Sequence, residues 1–310
     1  MADKKSFSIK GSHKDKSIVE ISAQIIFTVC ALIAVLTVIS ITVYMFINGT
    51  PALGEVGIKE ILFGTVWEPA AKDPKYGIFY VILTSLFGTF LAILIGVPIS
   101  ILTAVFLAEV APKKLAAVVK PAVELLAGIP SVVYGLLGIY LLCPLMYKLE
   151  LELFAGSTTH QFTGGANLIS AVLVLAIMIL PTVINISESS LHAVEASLKS
   201  ASLALGASRI QTIFRVLLPA AKSGIITAIV LGVGRAIGEA MAISLVSGSS
   251  VNLPLPFHSV KFLTTAVVSE MGYAGGIHRK VLFTIGLILF VFIMLINLCL
   301  NGILKKKEKQ

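Results

Sequence analysis

Charge is what this chain has least of. Asp, Glu, Lys and Arg make up 13% of its 310 residues, against about 25% in soluble domains. The few charges cluster between long apolar runs, so a single water-soluble core is excluded as the fold class. Cysteine is nearly absent as well. Cys30, Cys143 and Cys299 stand singly in apolar stretches, which excludes a disulfide framework and reads as three small buried apolar groups. The five His residues are scattered without metal-ligand spacing, so no metal site is expected. The dipeptide Gly-Lys does not occur. A P-loop ends in Gly-Lys-Ser/Thr to cradle phosphates, so ATP hydrolysis is not expected in this chain. No pairing of His or Cys at membrane depth supports an enzyme, and no cofactor is called for.

What is present is apolar surface. Hydrophobic residues reach 57% and the mean hydropathy is +0.98. Length and apolarity predict an all-α, polytopic membrane protein with six spans: about 18–47, 78–106, 115–147, 168–186, 217–246 and 281–304. Residues 1–17 read as a Lys-rich tail, 18–304 as the transmembrane domain with a loop over 187–219, and 305–310 as a second tail. The first span is too long for a signal-peptide core and reads as a retained anchor.

The net charge of +8 would suggest nucleic acid in a soluble protein. Here Lys and Arg flank apolar runs, so they report topology and no nucleic-acid partner is expected. With connections numbered alternately from the N-terminus, sixteen of the 24 Lys and Arg residues fall on the N-terminal side and seven on the other; Arg235 alone lies inside a span. The excess predicts that both termini are cytoplasmic.

Three stretches carry more than topology. The loop "LHAVEASLKSASLALGASRIQTIFRVLLP" sets Leu191, Val194, Leu198, Ala201 and Leu205 at helical spacing. Gly206 follows as a C-cap or hinge, and Ile210, Ile213, Phe214, Leu217 and Leu218 form a second stripe before Pro219. Read bare, these are two interfacial amphipathic helices. In "ELLAGIPSVVYG", Gly128 and Pro130 interrupt an apolar run. Proline removes a helical hydrogen bond, and in lipid the freed carbonyl needs another partner; Ser131 or a neighbouring helix is the candidate. The break is either a packing kink or part of a substrate path. In "GVGRAIGEAMA", Arg235 and Glu239 lie four residues apart, one face of a continuous helix. They read either as a buried ion pair that fixes packing or as a path Arg with Glu239 as its partner. Such a Glu239 would temper the grip of Arg235 on a passing anion.

Residues 200–219 resemble the EAA motif of ABC-importer permeases, with Ser200, Ala201, Ser202, Gly206, Val216, Leu218 and Pro219 in its register. Ser200 and Ser202 depart from the motif Glu and Ala. "AGIPSVVYG" and "GRAIGEAMA" are similar to the permeases of phosphate importers, and the chain as a whole looks most like the PstC type. The resemblance implies a type I importer-permease fold in the bacterial inner membrane. It implies a PstA-type sister permease, a PstB-type ATPase dimer, an extracytoplasmic PstS-type binding protein and phosphate as substrate. It also implies that Ala201, Leu205, Gly206, Ala207, Ser208 and Pro219 form the coupling element facing the ATPase. Arg235, Glu239, Ser131 and Pro130 are then the path candidates. The alternatives are another oxyanion, sulfate or molybdate, and a secondary transporter in which Glu239 relays protons.

Overall fold

The computed structural model of the chain describes residues 13–308, with side chains described between Glu20 and Leu298. It divides into two units, residues 1–48 and 49–310. The first is occupied by most of α1 (His13–Ala52). Thr28, Thr37 and Thr42 each donate their hydroxyl to the carbonyl four residues back, at 2.8 Å. These bonds satisfy the hydroxyls within the helix itself. Of the expected 1–17 tail, residues 1–12 lie outside the described residues, while His13–Ser17 are already helical.

The second unit begins with a turn of wider helix over Leu53–Gly57, α2 (Ile58–Phe63) and an antiparallel ribbon. The ribbon joins β1 (Trp67–Glu68) to β2 (Lys75–Tyr76), with Trp67 opposite Tyr76. Then follow α3 (Phe79–Val105), α4 (Lys113–Gly128), α5 (Ser131–Leu137), α6 (Cys143–Leu153) and α7 (Leu168–His192). Short helices α8 (Ala196–Ala204), α9 (Arg209–Thr212) and α10 (Leu218–Ala220) lead to α11 (Lys222–Gly238) and α12 (Met241–Val246). α13 (Leu263–Glu270) and α14 (Gly276–Glu308) complete the chain. The expected tail from Lys305 thus continues α14 as far as Glu308, and residues 309–310 lie outside the described residues.

Five helical stretches are long and apolar enough to cross a bilayer: Glu20–Phe63, Phe79–Val110, Ser131–Leu153, Leu168–His192 and Gly276–Leu298. A sixth comes from Arg209–Ala220 and Lys222–Gly238, two segments bent by 70°. The expected single span over 115–147 is corrected, because α4 and α5 are separate helices that meet at Ile129 and Pro130. That stretch was well beyond the about 20 residues a bilayer needs.

α7 is the central post. It starts where the Asn167 side chain accepts from Ser170 N–H at 3.1 Å, a side-chain cap for one of the orphan donors of the first turn. α3 and α11 pack against it. Glycine makes the approach close: a Cβ on Gly96 would sit 2.6 Å from Ile179 Cδ1, and one on Gly232 2.7 Å from Val183 Cγ2. Small residues serve this purpose where lipid offers no hydrophobic drive between helices. At the end of α7 that carries Leu168, a second apolar cluster gathers Ile61, Ile78, Val81, Leu263, Val281 and Ile285. Glu270 is buried there among three donors: Trp67 Nε1 at 3.1 Å, Lys261 Nζ at 2.5 Å and His278 Nε2 at 2.8 Å. The cation and two N–H groups compensate a charge that burial would otherwise penalise. Burial also pushes the neighbouring Tyr76 phenol above its ordinary pKa. Of the cysteines, Cys143 is buried as expected, whereas Cys30 is exposed.

Candidate functional site

Two helix breaks meet beside α7. The first is between α4 and α5. Pro130 has no N–H, and α4 ends two residues before it. The orphaned Leu126 carbonyl accepts from the Tyr134 hydroxyl at 2.7 Å and from Ile129 N–H at 3.2 Å. Tyr134 therefore supplies the partner expected from Ser131. Ser131 is half-buried as the first residue of α5, and Pro130 is exposed.

The second break ends α11. Glu239 has φ −72° and ψ 130°, an extended conformation, so the helix stops at Gly238. Glycine is poorly disposed to helix, and tertiary bonds fix the alternative. The Glu239 carboxylate accepts from Ala242 N–H at 2.9 Å, capping α12, and the Glu239 carbonyl accepts from Thr264 Oγ1 at 2.7 Å. This corrects the expectation of one span over 217–246 with Arg235 and Glu239 on a shared helical face. Among the described residues no ion pair joins the two.

The breaks lie abreast. α5 and the wider helical turn that continues it, Gly138–Leu142, pack on α12: a Cβ on Gly135 would be 2.9 Å from Ala242 Cα, and one on Gly138 2.6 Å from Val246 Cγ1. Those contacts step forward along both helices together, so the start of α5 at Ser131 is level with Glu239. Arg235 is half-buried one turn earlier, about 20 Å along α11 from Lys222 at ~1.5 Å per residue. Its Nη1 donates to Thr182 Oγ1 on α7 at 3.1 Å, and Tyr134 is within its electrostatic reach. Among the described residues it has no carboxylate within 4.0 Å. Chemically, this is a fixed cation with N–H donors to spare, seated at membrane depth between two breaks. Thr182 and Tyr134 were missed in the sequence. Their signals were a hydroxyl directly after Pro181 in "ILPTV" and the Tyr of "SVVYG".

The other candidate segment lies at the far end of α7. α8 ends in a Schellman arrangement: Gly206 N–H donates to Leu203 O at 3.0 Å and Ala207 N–H to Ser202 O at 3.2 Å. Gly206 has φ +84°. Ser208 then caps α9, exchanging bonds with Gln211 in both directions. The expected first stripe does not run on one helix. Leu191 is buried at the end of α7, and the chain turns before α8. Leu198 and Ala201 are exposed, Leu205 is 89% exposed, Ala207 is half-buried, and Pro219 is exposed in α10. Of the second stripe, Ile213 and Leu217 are buried with Val105 and Ile225, while Ile210 and Phe214 face outward. Lys199 pairs with Glu109, and Ser202 Oγ lies 3.0 Å from Thr212 Oγ1, so α8 is anchored from two sides. Ser200, in place of the motif Glu, turns its hydroxyl back to Ala196 O at 3.0 Å.

Residues 96–309 match the family described as binding-protein-dependent transport system inner membrane component. The probable ABC transporter permease protein YqgH of Bacillus subtilis (strain 168) is 38% identical, with 92% of each chain covered. The phosphate transport system permease protein PstC of Pasteurella multocida (strain Pm70) is 35% identical over 78% of this chain and 79% of its own length. Among solved structures, a chain of a bacterial alginate ABC transporter, crystallised with its alginate pentasaccharide-bound periplasmic protein, covers 94% of this chain and 98% of its own. Its TM-score is 0.66 at 16% identity, a likeness of fold.

Proposed function

We propose, from the premise that this chain belongs to the binding-protein-dependent transport system inner membrane component family, that it forms the translocation path of an ATP-driven importer of inorganic phosphate. Membership makes it a multi-pass inner-membrane permease component of an ABC importer. The observation that carries the anion reading is Arg235, a half-buried cation at membrane depth whose hydrogen-bond partner is the neutral Thr182 hydroxyl. A charge there costs about 2.5–3.5 kcal/mol on insertion scales, and among the described residues no carboxylate lies within 4.0 Å of it. Its planar donors suit an oxyanion and stay charged at any working pH. The names of PstC relatives point the oxyanion toward phosphate. The working assembly is this chain with a PstA-type sister permease, two PstB-type ATPase subunits, one of them docking on α8 and Gly206, and a PstS-type binding protein opposite.

The test is uptake by the reconstituted assembly. ATP-dependent accumulation of phosphate, undiminished by excess sulfate or molybdate, is expected, and it persists when the proton gradient is collapsed. Sulfate uptake in its place overturns the substrate. Uptake that follows the gradient and ignores ATP overturns the importer reading in favour of a Glu239 relay.

Orientation follows the charge excess, with both termini cytoplasmic. A cytoplasm-only reporter fused after Lys114 or Gly206 is expected to be active, and one fused after Lys72 or Gly156 silent. The opposite pattern reverses the topology.

A further inference from the structure

We infer that a second oxyanion subsite precedes Arg235, in a cavity of about 410 Å³ whose wall includes Gln161, Ser250, Asn252 and His258. The identity of its anion rests on the phosphate reading. The cavity is within the size range of small-ligand sites, about 300–1,000 Å³. It lies at the end of α7 opposite α8: the Leu168 N–H that opens α7 donates to His258 O at 3.0 Å.

Both of its walls lead to the break at Glu239. One wall includes Gly248, two residues beyond the end of α12. α12 is six residues long, about 9 Å at ~1.5 Å per residue, and its first turn is capped by Glu239. The other wall includes His258 and Ser259, and the chain runs from there to Thr264, whose hydroxyl holds the Glu239 carbonyl. An anion leaving the cavity toward α11 therefore has one short helix to pass before Arg235.

The lining is neutral and rich in donors, with no Asp, Glu, Lys or Arg. Among the described residues the side chains of Gln161 and Ser250, both exposed, and of the half-buried His258 make no hydrogen bond to the protein, so their donors are open to a ligand. The imidazole carries an N–H in either charge state. The buried carboxylate of Glu150, bonded to the wall residue Thr163, is spent internally. It accepts from Thr163 N–H at 2.9 Å, Thr163 Oγ1 at 3.0 Å and His160 Nε2 at 2.8 Å.

The wall is also built with care. Gly248 has φ +85° and Ser249, a non-glycine, has φ +64°. A Cβ on Gly248 would lie 2.6 Å from Ala166 O. Val260 N–H donates to Ser247 O at 2.8 Å and Asn252 Nδ2 to Ser259 O at 3.0 Å, which holds the strained turn in place. Neutral donors suit the role. They bind an oxyanion without the Coulombic trap of a buried cation, and a site that must pass its ion onward has to release it.

The experiment uses the reconstituted assembly without its binding protein. Ser250→Cys, and Thr159→Cys as a second position on the same wall, are reacted with a charged, membrane-impermeant thiol reagent; Lys72→Cys is the control outside the cavity. Inorganic phosphate is expected to slow labelling at both wall positions by about threefold or more and to leave Lys72→Cys unchanged. Adding Gln161→Leu is expected to raise the half-protecting phosphate concentration about fivefold to tenfold, the loss of one hydrogen bond. Labelling indifferent to phosphate at both wall positions, or slowed equally at Lys72→Cys, overturns the subsite. Phosphate uptake is measured on the same assembly after its binding protein is added back. Uptake without protection sinks the subsite alone, whereas protection by sulfate with sulfate uptake sinks the phosphate reading.

Discussion

Arg235→Gln is expected to cut phosphate uptake by about a hundredfold or more while the assembly forms in normal amount. The two halves of that expectation come from one observation. Arg235 donates to the Thr182 hydroxyl and has no carboxylate within ion-pair distance among the described residues. Removing one member of a buried ion pair costs about 3–5 kcal/mol, because the other charge is left uncompensated. No such orphan arises here. Glutamine can still donate to a hydroxyl, and the about 2.5–3.5 kcal/mol cost of a charge at this depth disappears. A packing role thus predicts a weakened assembly, and a substrate role predicts an assembly at least as stable that does not transport. The transport loss follows from hydrogen bonds to a charged group, worth about 1.5–3 kcal/mol each, more than one of which an oxyanion would make. Arg235→Lys keeps the charge but not the planar fork, and is expected to recover little. The exchange Arg235→Glu with Glu239→Arg is expected to fail as well. The extended conformation of Glu239 places its side chain off the face that Arg235 occupies, and it removes the Ala242 cap. Full uptake by the exchanged protein overturns the path role, and loss of assembly in Arg235→Gln favours packing.

That exchange marks where sequence reasoning reached its limit. Four-residue spacing puts two side chains on one face only if the backbone between them is helical. Whether it is helical at Glu239 was settled by Thr264, 25 residues away in sequence, and by a carboxylate that caps the next helix instead of facing Arg235. Neither bond leaves a local trace. The same holds at the first break. Pro130 announced that a carbonyl would be freed, but the group that satisfies it, Tyr134, is eight residues from Leu126 and separated from it by the break. The placement of most spans was legible because length and apolarity are summed over about twenty residues. One further clue went unused: an apolar run over 115–147 was too long for a single crossing, and the excess is α4.

Gly206 is the opposite case, legible because its constraint is local, and Gly206→Val is expected to uncouple ATP hydrolysis from uptake. At φ +84° the residue lies where L side chains with a branched Cβ are strained, at a cost of about 1–3 kcal/mol. The strain is in the backbone, because a Cβ built there meets nothing within 4 Å. It cannot be relieved by a neighbour giving way. The cheaper response is to abandon the two bonds that close α8, Gly206 N–H to Leu203 O and Ala207 N–H to Ser202 O. The turn then re-forms with a different angle between α8 and α9. Leu205, at 89% exposure, is presented by that turn, as are the exposed Leu198 and Ile210 beside it. Insertion is expected to be spared, since the spans on either side are untouched and the anchors through Lys199–Glu109 and Ser202–Thr212 remain. Gly206→Asn separates conformation from side-chain bulk. Asn enters the left-handed region more readily than other residues with a Cβ, so it is expected to retain most of the coupling that valine loses. The measurement is the ratio of phosphate moved to ATP hydrolysed in the reconstituted assembly, with ATPase retention on the purified permease as the docking readout. A valine variant that keeps both overturns the coupling role of this turn. An asparagine variant as impaired as valine shows that the open space around Gly206, and not its backbone angle, is what the ATPase requires.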